Sequence, residues 1–208
     1  MIFPDGNSDT IIFLDIDDTV ASLRSEFAYG SIIKLDPVIC TALANMAEVA
    51  QLKVVVASLR HTNSKSRDFT TIKSLFNEAG LASQHLHHDQ LAISPRQSGQ
   101  VQSKWPSIQN WLSRHPEVSN YVIIDDEHCF IDAAKTQIHP NQLLIKGREG
   151  MQSGDLERLE KMLGLDWEEL MRHARETQQN RCPLEPVQYV LELEHHHAAR
   201  NASIKATP

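Results

Sequence analysis

Short apolar runs alternate along the chain with segments in which apolar residues recur every three or four positions. Uninterrupted runs such as Ile11 to Leu14 and Val54 to Ala57 are typical of strands that are buried on both faces of a parallel sheet. Segments such as residues 38–47 show the 3.6-residue repeat of an amphipathic helix. This alternation predicts an α/β fold: a doubly wound parallel sheet with helices on both faces.

The pattern places each element approximately. Strands are predicted at residues 11–15, 53–58, 121–124 and 142–145, with a weaker one within 83–93. Helices are predicted at about 37–47, 69–79, 106–115, 153–163 and from 166 onward. Asp36 before Pro37 is an N-cap pattern, and Gly80 and Gly164 stand where left-handed caps would end their helices.

The same pattern predicts the domain organisation. Residues 1–180 are expected to form one domain, and residues 181–208 a flexible tail, because the composition turns polar after Gln178. Residues 21–34 are expected to form a hairpin or a short flap. Neither this interval nor the one between Ser58 and Lys104 has room for a large independent cap domain.

Acidic residues follow the first strand, where a parallel sheet places its ligands. If the chain stays extended, Asp15, Asp17 and Thr19 converge on one spot while Asp18 points elsewhere. Clustered carboxylates repel one another, and a hard cation or a shared proton relieves the repulsion. The alternative is a strand ending in a capped turn, but three acids are more than a cap needs.

Further polar groups follow the other strands. Ser58 ends the second strand, and Asp125 and Asp126 end the strand at 121–124. Lys104 precedes a helix. Alone, Ser58 would be a turn residue and Lys104 a solvated lysine. Their order in the chain, with acids at both ends, favours a shared site.

This ordered set resembles the haloacid dehalogenase (HAD) superfamily of phosphohydrolases, whose motifs are an Asp-x-Asp strand end, a Ser or Thr, a lysine and paired acids. A response-regulator receiver has similar groups, but its lysine comes last. The closest resemblance is to the HAD domain found in RNA-repair (Swiss Army Knife) proteins. It includes Ser58-x-Arg60, the segment 111–126 and the Gly150-Met151-x-x-x-Asp155 turn. Asp18 and Thr19 stand where that subfamily is expected to have Gly-Val, and Leu59 where it has Trp.

The resemblance implies a HAD-like Rossmannoid fold and a magnesium-dependent phosphomonoesterase with an aspartyl-phosphate intermediate. Asp15 would be the nucleophile and Asp17 the general acid and base. Ser58 and Lys104 would hold the phosphoryl oxygens, and Thr19 and Arg60 would also contact substrate. Mg²⁺ would be bound by the following groups: the Asp15 carboxylate, the Asp17 carbonyl, and Asp125 and Asp126, with direct contact from either of the paired acids left open.

The substrate is less defined. The net charge of −7 argues against a protein that coats nucleic acid by bulk electrostatics. The short intervals predict an open site, which together with the resemblance favours a polynucleotide end phosphatase. Local cations would then have to line the entrance: Lys65, Arg67, Arg96, Lys104, Lys146 and Arg148. The alternatives are a phosphatase for nucleotides, sugar phosphates or phosphoproteins, and a phosphate-binding regulatory module without turnover.

Other features bound the location and partners. The three cysteines are far apart, which favours a reducing compartment without disulfides. The first residues lack a signal-peptide pattern and no stretch is long and apolar enough for a membrane span, so we expect a cytoplasmic protein without membrane contact. No stable protein partner is expected. His85, His87 and His88 are expected in a solvated loop rather than a zinc site, because no His-x-x-x-His or cysteine pair accompanies them.

Overall fold

A five-stranded parallel sheet organises the chain. The computed structural model describes residues 10–21, 35–58, 67–92, 104–127, 138–146 and 149–180. The strands are β1 (Thr10–Leu14), β2 (Lys53–Val56), β3 (Leu86–Leu91), β4 (Asn120–Asp125) and β5 (Gln142–Leu144), in the order β3-β2-β1-β4-β5. The helices are α1 (Pro37–Val49), α2 (Arg67–Glu78), α3 (Lys104–Arg114), α4 (Ser153–Leu163) and α5 (Trp167–Asn180). The α/β prediction is confirmed.

The helix ends follow local chemistry. Asp36 Oδ1 accepts hydrogen bonds from the backbone N–H groups of Val38 (2.9 Å) and Ile39 (3.3 Å), and thereby caps α1. Gly164 ends α4 in the left-handed region, with φ 66°. α3 begins at Lys104, two residues before the predicted start, because Pro106 is tolerated anywhere in the first turn.

Successive residues of β1 face opposite sides of the sheet and belong to two cores. Ile12 and Leu14 pack in the larger core with buried side chains of α1, α2, α4 and α5. Ile11 and Phe13 pack in the second core with Trp111 of α3. The rings of Phe13 and Trp111 are arranged edge to face, with their centroids 5.3 Å apart. Helices therefore cover both faces of β1, which explains its uninterrupted apolar run.

Edge strand β3 is irregular, and the prediction of a solvated loop for its histidines is wrong. Val54 pairs with Leu86 and Val56 with Leu91. An advance of two residues along β2 therefore corresponds to an advance of five residues along β3, which is a bulge in β3. His85, in the 3-10 turn Ser83–His85, and His87, in β3, are buried. Contacts with side chains from distant parts of the chain bury these two imidazoles, and only His88 is exposed.

No helix in the described ranges has both the length and the apolar character needed to cross a bilayer. The flap expected at residues 21–34, apart from Ala21, and the tail at 181–208 lie outside the described residues.

Candidate active site

The sheet register brings the predicted acids together. Leu14 pairs with Val56 on one side and with Ile124 on the other. Asp15, the next residue, donates its backbone N–H to Ile124 O at 2.9 Å, so it lies beside Asp125 at the carboxyl edge of the sheet. Ser58, buried, follows β2 at the same edge. The site is therefore built at the strand ends, as the sequence predicts.

Lys104 links the two acids. Its Nζ lies 3.0 Å from Asp15 Oδ1 and 3.0 Å from Asp125 Oδ1, and all three side chains are buried. A cation in the first turn of a helix faces the positive end of the helix dipole. Lys104 nevertheless sits at the first residue of α3, because the two carboxylates outweigh that repulsion.

Burial sets the protonation of this cluster. Desolvation raises the pKa of Asp15 to about 7, against the attraction of Lys104 and with added repulsion from Asp125. Desolvation likewise raises the pKa of Asp125 to about 6, and Lys104 again opposes the rise. Burial alone would lower the pKa of Lys104, but the two aspartates raise it above its ordinary value. The lysine is therefore charged, and the acids are poised between protonation states near neutral pH.

The residues present fit a magnesium ion. Carboxylate oxygens of Asp15, Asp125 and Asp126 lie within 4.8 Å of one another. Asp125 Oδ2 lies 2.9 Å from Lys104 Nζ, but no described donor forms a hydrogen bond to this buried oxygen. When all three acids are ionised, the three carboxylates and the ammonium carry a formal charge of about −2, which one divalent cation would balance, and all the donors are the hard oxygens that Mg²⁺ prefers.

The loop after β1 differs from the extended stretch expected. Ile16 O accepts hydrogen bonds from the backbone of Thr19 (3.3 Å), Val20 (3.1 Å) and Ala21 (2.8 Å), so the chain turns tightly there. Asp18 is left-handed, with φ 53°. The predicted alternation of side chains through Thr19 is therefore wrong, because a turn has no two-residue period.

Asp18 adds negative charge to the surroundings of Asp126. Its charge is one of the causes that raise the pKa of Asp126, after burial and the repulsion from Glu127. The left-handed conformation of Asp18 had a signal in the sequence, because the subfamily that the chain resembles is expected to have glycine at this position, and glycine is the residue most often found in that conformation.

The remaining predicted site residues are placed as follows. Thr19 is buried, its Oγ1 has no hydrogen-bond partner in the described ranges, and its carbonyl accepts from Met151 N at 2.8 Å. Asp17 is half-buried and is not part of the group of three carboxylates. Arg60 lies outside the described residues. The structure thus links Asp15 and Asp125 through Lys104 and brings Asp126 close to both acids, with Ser58 at the same edge.

Comparison with known proteins agrees with this geometry. Residues 11–156 match the family described as the HAD domain in Swiss Army Knife RNA repair proteins. No curated protein and no solved structure gives a significant match to the chain. The match supports a HAD-type phosphohydrolase, and it covers most of the chain, including the three strand ends that carry the acids and the serine and the helix start that carries the lysine. The chain belongs to the family of HAD domains in Swiss Army Knife RNA repair proteins.

Proposed function

We propose that the chain is a magnesium-dependent phosphomonoesterase that acts through an aspartyl-phosphate on Asp15 and takes a polynucleotide end as its substrate. One observation carries the chemical part: the Lys104 ammonium lies 3.0 Å from both Asp15 and Asp125 in a buried cluster that also includes Asp126. A nucleophile, a positive charge for phosphoryl oxygens and a set of hard metal ligands thus meet at one edge of the sheet.

The first half of the reaction transfers the phosphoryl group. A carboxylate oxygen of Asp15 attacks phosphorus, the bond from phosphorus to the ester oxygen breaks, and Asp17 gives its proton to the leaving alkoxide. An ammonium has three N–H donors, so Lys104 can keep both carboxylates and direct its third donor to a phosphoryl oxygen, with Ser58 as a second donor.

The second half regenerates the enzyme. Water attacks the phosphorus of the aspartyl-phosphate and loses a proton to Asp17, while the bond between phosphorus and the Asp15 oxygen breaks. Inorganic phosphate leaves, and Asp15 is again a carboxylate. A magnesium ion held by Asp15, the Asp17 carbonyl and the paired acids would supply positive charge between the phosphate and these carboxylates.

The polymer substrate is supported by the limited material around the site. α2, the 3-10 turn and β3 occupy residues 67–91 of the interval between β2 and α3, so little chain is left for a cap. Without a large cap, a site at the sheet edge can admit the end of a long molecule. Family membership points the same way, because its description names RNA repair.

The expected basic rim remains a prediction. Among the six cations proposed for it, the structure describes the side chains of two. Lys146 is exposed just after β5, where it could contact a nucleic-acid backbone. Lys104 is buried among the acids and belongs to the reaction centre instead.

The chemistry is tested with phosphate release from p-nitrophenyl phosphate. We expect turnover with Mg²⁺, none with EDTA, recovery when Mg²⁺ is restored, and none from Asp15→Asn. Asp166→Asn is the matched control, because its Oδ1 accepts from Glu169 N at 3.1 Å and asparagine caps helices equally well. Equal turnover in all conditions would contradict the mechanism. Tight binding of beryllium fluoride without hydrolysis of any phosphomonoester would indicate a phosphate-binding module.

The substrate is tested separately. RNA and DNA oligonucleotides with 3′- or 5′-phosphates are compared with nucleotides, sugar phosphates and phosphopeptides. We expect the highest kcat/KM for an oligonucleotide, with a decrease as salt is added, because backbone contacts release counterions. A preference for a small metabolite by orders of magnitude would refute the polymer substrate and leave the chemistry of Asp15 intact.

A further inference from the structure

A second cluster of titratable side chains lies on edge strand β3 and the end of α3, and the proposed phosphatase chemistry does not use it. His87 and His88 come from β3, and His115 follows α3 directly. One ring nitrogen from each of these three histidines lies within 4.8 Å of the others. We call them the histidine cluster.

The irregularity of β3 explains why neighbouring residues share one side. In a regular strand, His87 and His88 would point to opposite faces of the sheet. Here five residues of β3 span two of β2, and the ring centroids of His87 and His88 are only 4.0 Å apart. The His115 ring lies 5.0 Å from that of His87 and 5.7 Å from that of His88. Bulges that redirect side chains in this way are common at functional sites.

The two buried rings are also held in orientation. The His115 ring stacks on Trp111, with the two ring centroids 3.9 Å apart. The Nδ1 of His115 lies 2.8 Å from Glu117 Oε1. The Nδ1 of His87 lies 3.1 Å from Asp89 N and 3.3 Å from Asp89 O. In His115 the second nitrogen, Nε2, lies 3.1 Å from Asp89 Oδ2. In His87, Nδ1 accepts from Asp89 N in one tautomer and donates to Asp89 O in the other, and the second tautomer leaves the lone pair of Nε2 for another partner. Carboxylates and carbonyls at the second nitrogen are the usual supports of metal-binding histidines.

We propose that the histidine cluster binds a divalent transition metal ion of the zinc type and thereby joins the bulged edge strand to the end of α3. His87, His88 and His115 would each supply one nitrogen, with water in the fourth position on the exposed side of His88. The ion would replace the present 3.1 Å contact between His115 Nε2 and Asp89 Oδ2. Asp89 would keep its ion pair with Arg114, whose Nη1 lies 2.7 Å away.

The chemistry of the donors separates this site from the carboxylate cluster. Imidazole nitrogen suits zinc, copper, nickel and cobalt, whereas Mg²⁺ prefers oxygen ligands. The proposal is independent of the phosphatase function, because none of its residues belongs to the carboxylate cluster.

The test is calorimetric titration of the full chain with Zn²⁺ in excess Mg²⁺, which occupies the carboxylates. His195, His196 and His197 are replaced by serine throughout, because consecutive histidines bind zinc wherever they occur. We expect one equivalent bound. His88→Gln and His115→Gln should each weaken binding by more than about 100-fold, and Glu117→Gln by about 10- to 100-fold, the usual cost of losing an outer-shell partner. His173→Gln, which removes a histidine of α5, should bind as the parent does.

Cobalt gives a second readout. Co²⁺ should produce the intense visible bands of a four-coordinate ion in the parent and in His173→Gln, but not in His88→Gln, whose exposed side chain can change without loss of folding. Circular dichroism checks that each variant folds. The absence of Zn²⁺ binding in the parent, or equal binding in the parent, His88→Gln and His115→Gln, would overturn the proposal.

Discussion

At the scale of single residues, Lys104 determines the state of the candidate site. It is the partner of two acids that are 3% and 1% exposed, and it is itself 8% exposed. Charges so deeply buried depend on one another, because removal of one partner leaves the other without water or a counter-charge. The lysine therefore contributes to folding as well as to the proposed chemistry.

Replacing Lys104 by methionine tests this dependence. We expect the free energy of unfolding at pH 8, without Mg²⁺, to fall by about 3 kcal/mol, the lower range for breaking a buried ion pair. The loss should be smaller at pH 5. The folded-state pKa of Asp15 is about 7 against an ordinary 3.8 although Lys104 acts to lower it, so removal of the lysine raises it further. At pH 5 the folded variant can hold Asp15 protonated at small cost, whereas at pH 8 it must bury an unpaired charge or take up a proton. Urea unfolding at both pH values measures this.

Lys161→Met is the matched control, because Lys161 is an exposed lysine of α4. Its unfolding free energy should change by less than about 0.5 kcal/mol at either pH. An equal loss for Lys104→Met at pH 5 and pH 8 would show that packing, rather than charge, is what the lysine provides.

Asp18 gives a second test at this scale. Its φ of 53° lies in the left-handed region, where residues with a Cβ are strained and Asp is tolerated better than most. We expect Asp18→Gly to leave stability unchanged or raise it slightly, and Asp18→Val to lower it by about 1–2 kcal/mol. Urea unfolding in the presence of Mg²⁺ compares them. A valine variant as stable as the glycine variant would indicate that the loop changes conformation freely.

At the scale of secondary-structure elements, Glu48 connects three parts of the chain. It lies near the end of α1, and its carboxylate oxygens lie 2.8 Å from His85 Nε2 and 2.7 Å from His173 Nε2. His85 belongs to the 3-10 turn before β3 and His173 to α5. One carboxylate thus helps to hold the edge strand and the last described helix against α1.

The pKa of Glu48 predicts how acid affects this link. Burial acts to raise the pKa, but the hydrogen bonds and charges of His85 and His173 outweigh it, so the pKa is lowered. A lowered carboxyl pKa contributes stability above its unfolded value of 4.5, and this is lost as the pH falls through the folded value. Glu48→Gln should therefore be less stable than the parent at pH 6, with a difference that shrinks below about pH 4.

Urea unfolding from pH 3 to pH 7 measures the difference. Glu168→Gln, an exposed acid in the first turn of α5, is the control and should follow the parent closely. A deficit for Glu48→Gln that is constant across this pH range would contradict the charge-based link.

At the scale of the whole molecule, the uncompensated charge of the candidate site should couple metal binding to stability. Asp15, Asp125 and Asp126 outnumber Lys104, and burial raises the pKa of each acid. An ion that binds these carboxylates only in the folded protein stabilises it by mass action.

Mg²⁺ should accordingly raise the Tm of the parent at pH 7.5. At 100 times the Kd, the stabilisation is about 2.7 kcal/mol. Asp126→Asn removes one proposed ligand, and the structure shows no salt bridge or hydrogen bond between Asp126 and Lys104 that the change would break. This variant should therefore fold and show a smaller shift in Tm. Differential scanning calorimetry, with sodium chloride matching the ionic strength, measures this. An equal shift for the variant would place the ion elsewhere.

The sequence alone determined the fold and the order of the candidate catalytic groups. Apolar runs ending in Asp15, Ser58 and Asp125 predict buried parallel strands. When the apolar residues of such strands lie side by side in the sheet, the carboxyl ends of the strands meet at one edge. Even the weak third strand, β3 at Leu86–Leu91, lies within the predicted interval 83–93. These features depend on local periodicity, which the sequence displays directly.

The tertiary structure decided which side chains meet. The left-handed turn at Asp18 follows from hydrogen bonds that close the loop, and the bulge of β3 follows from its pairing with β2. His115 lies 27 positions after His88 in the chain, and no spacing motif in the sequence predicts that it joins His87 and His88. Such contacts depend on how distant elements pack, because a periodic pattern specifies the face of an element but not its neighbour.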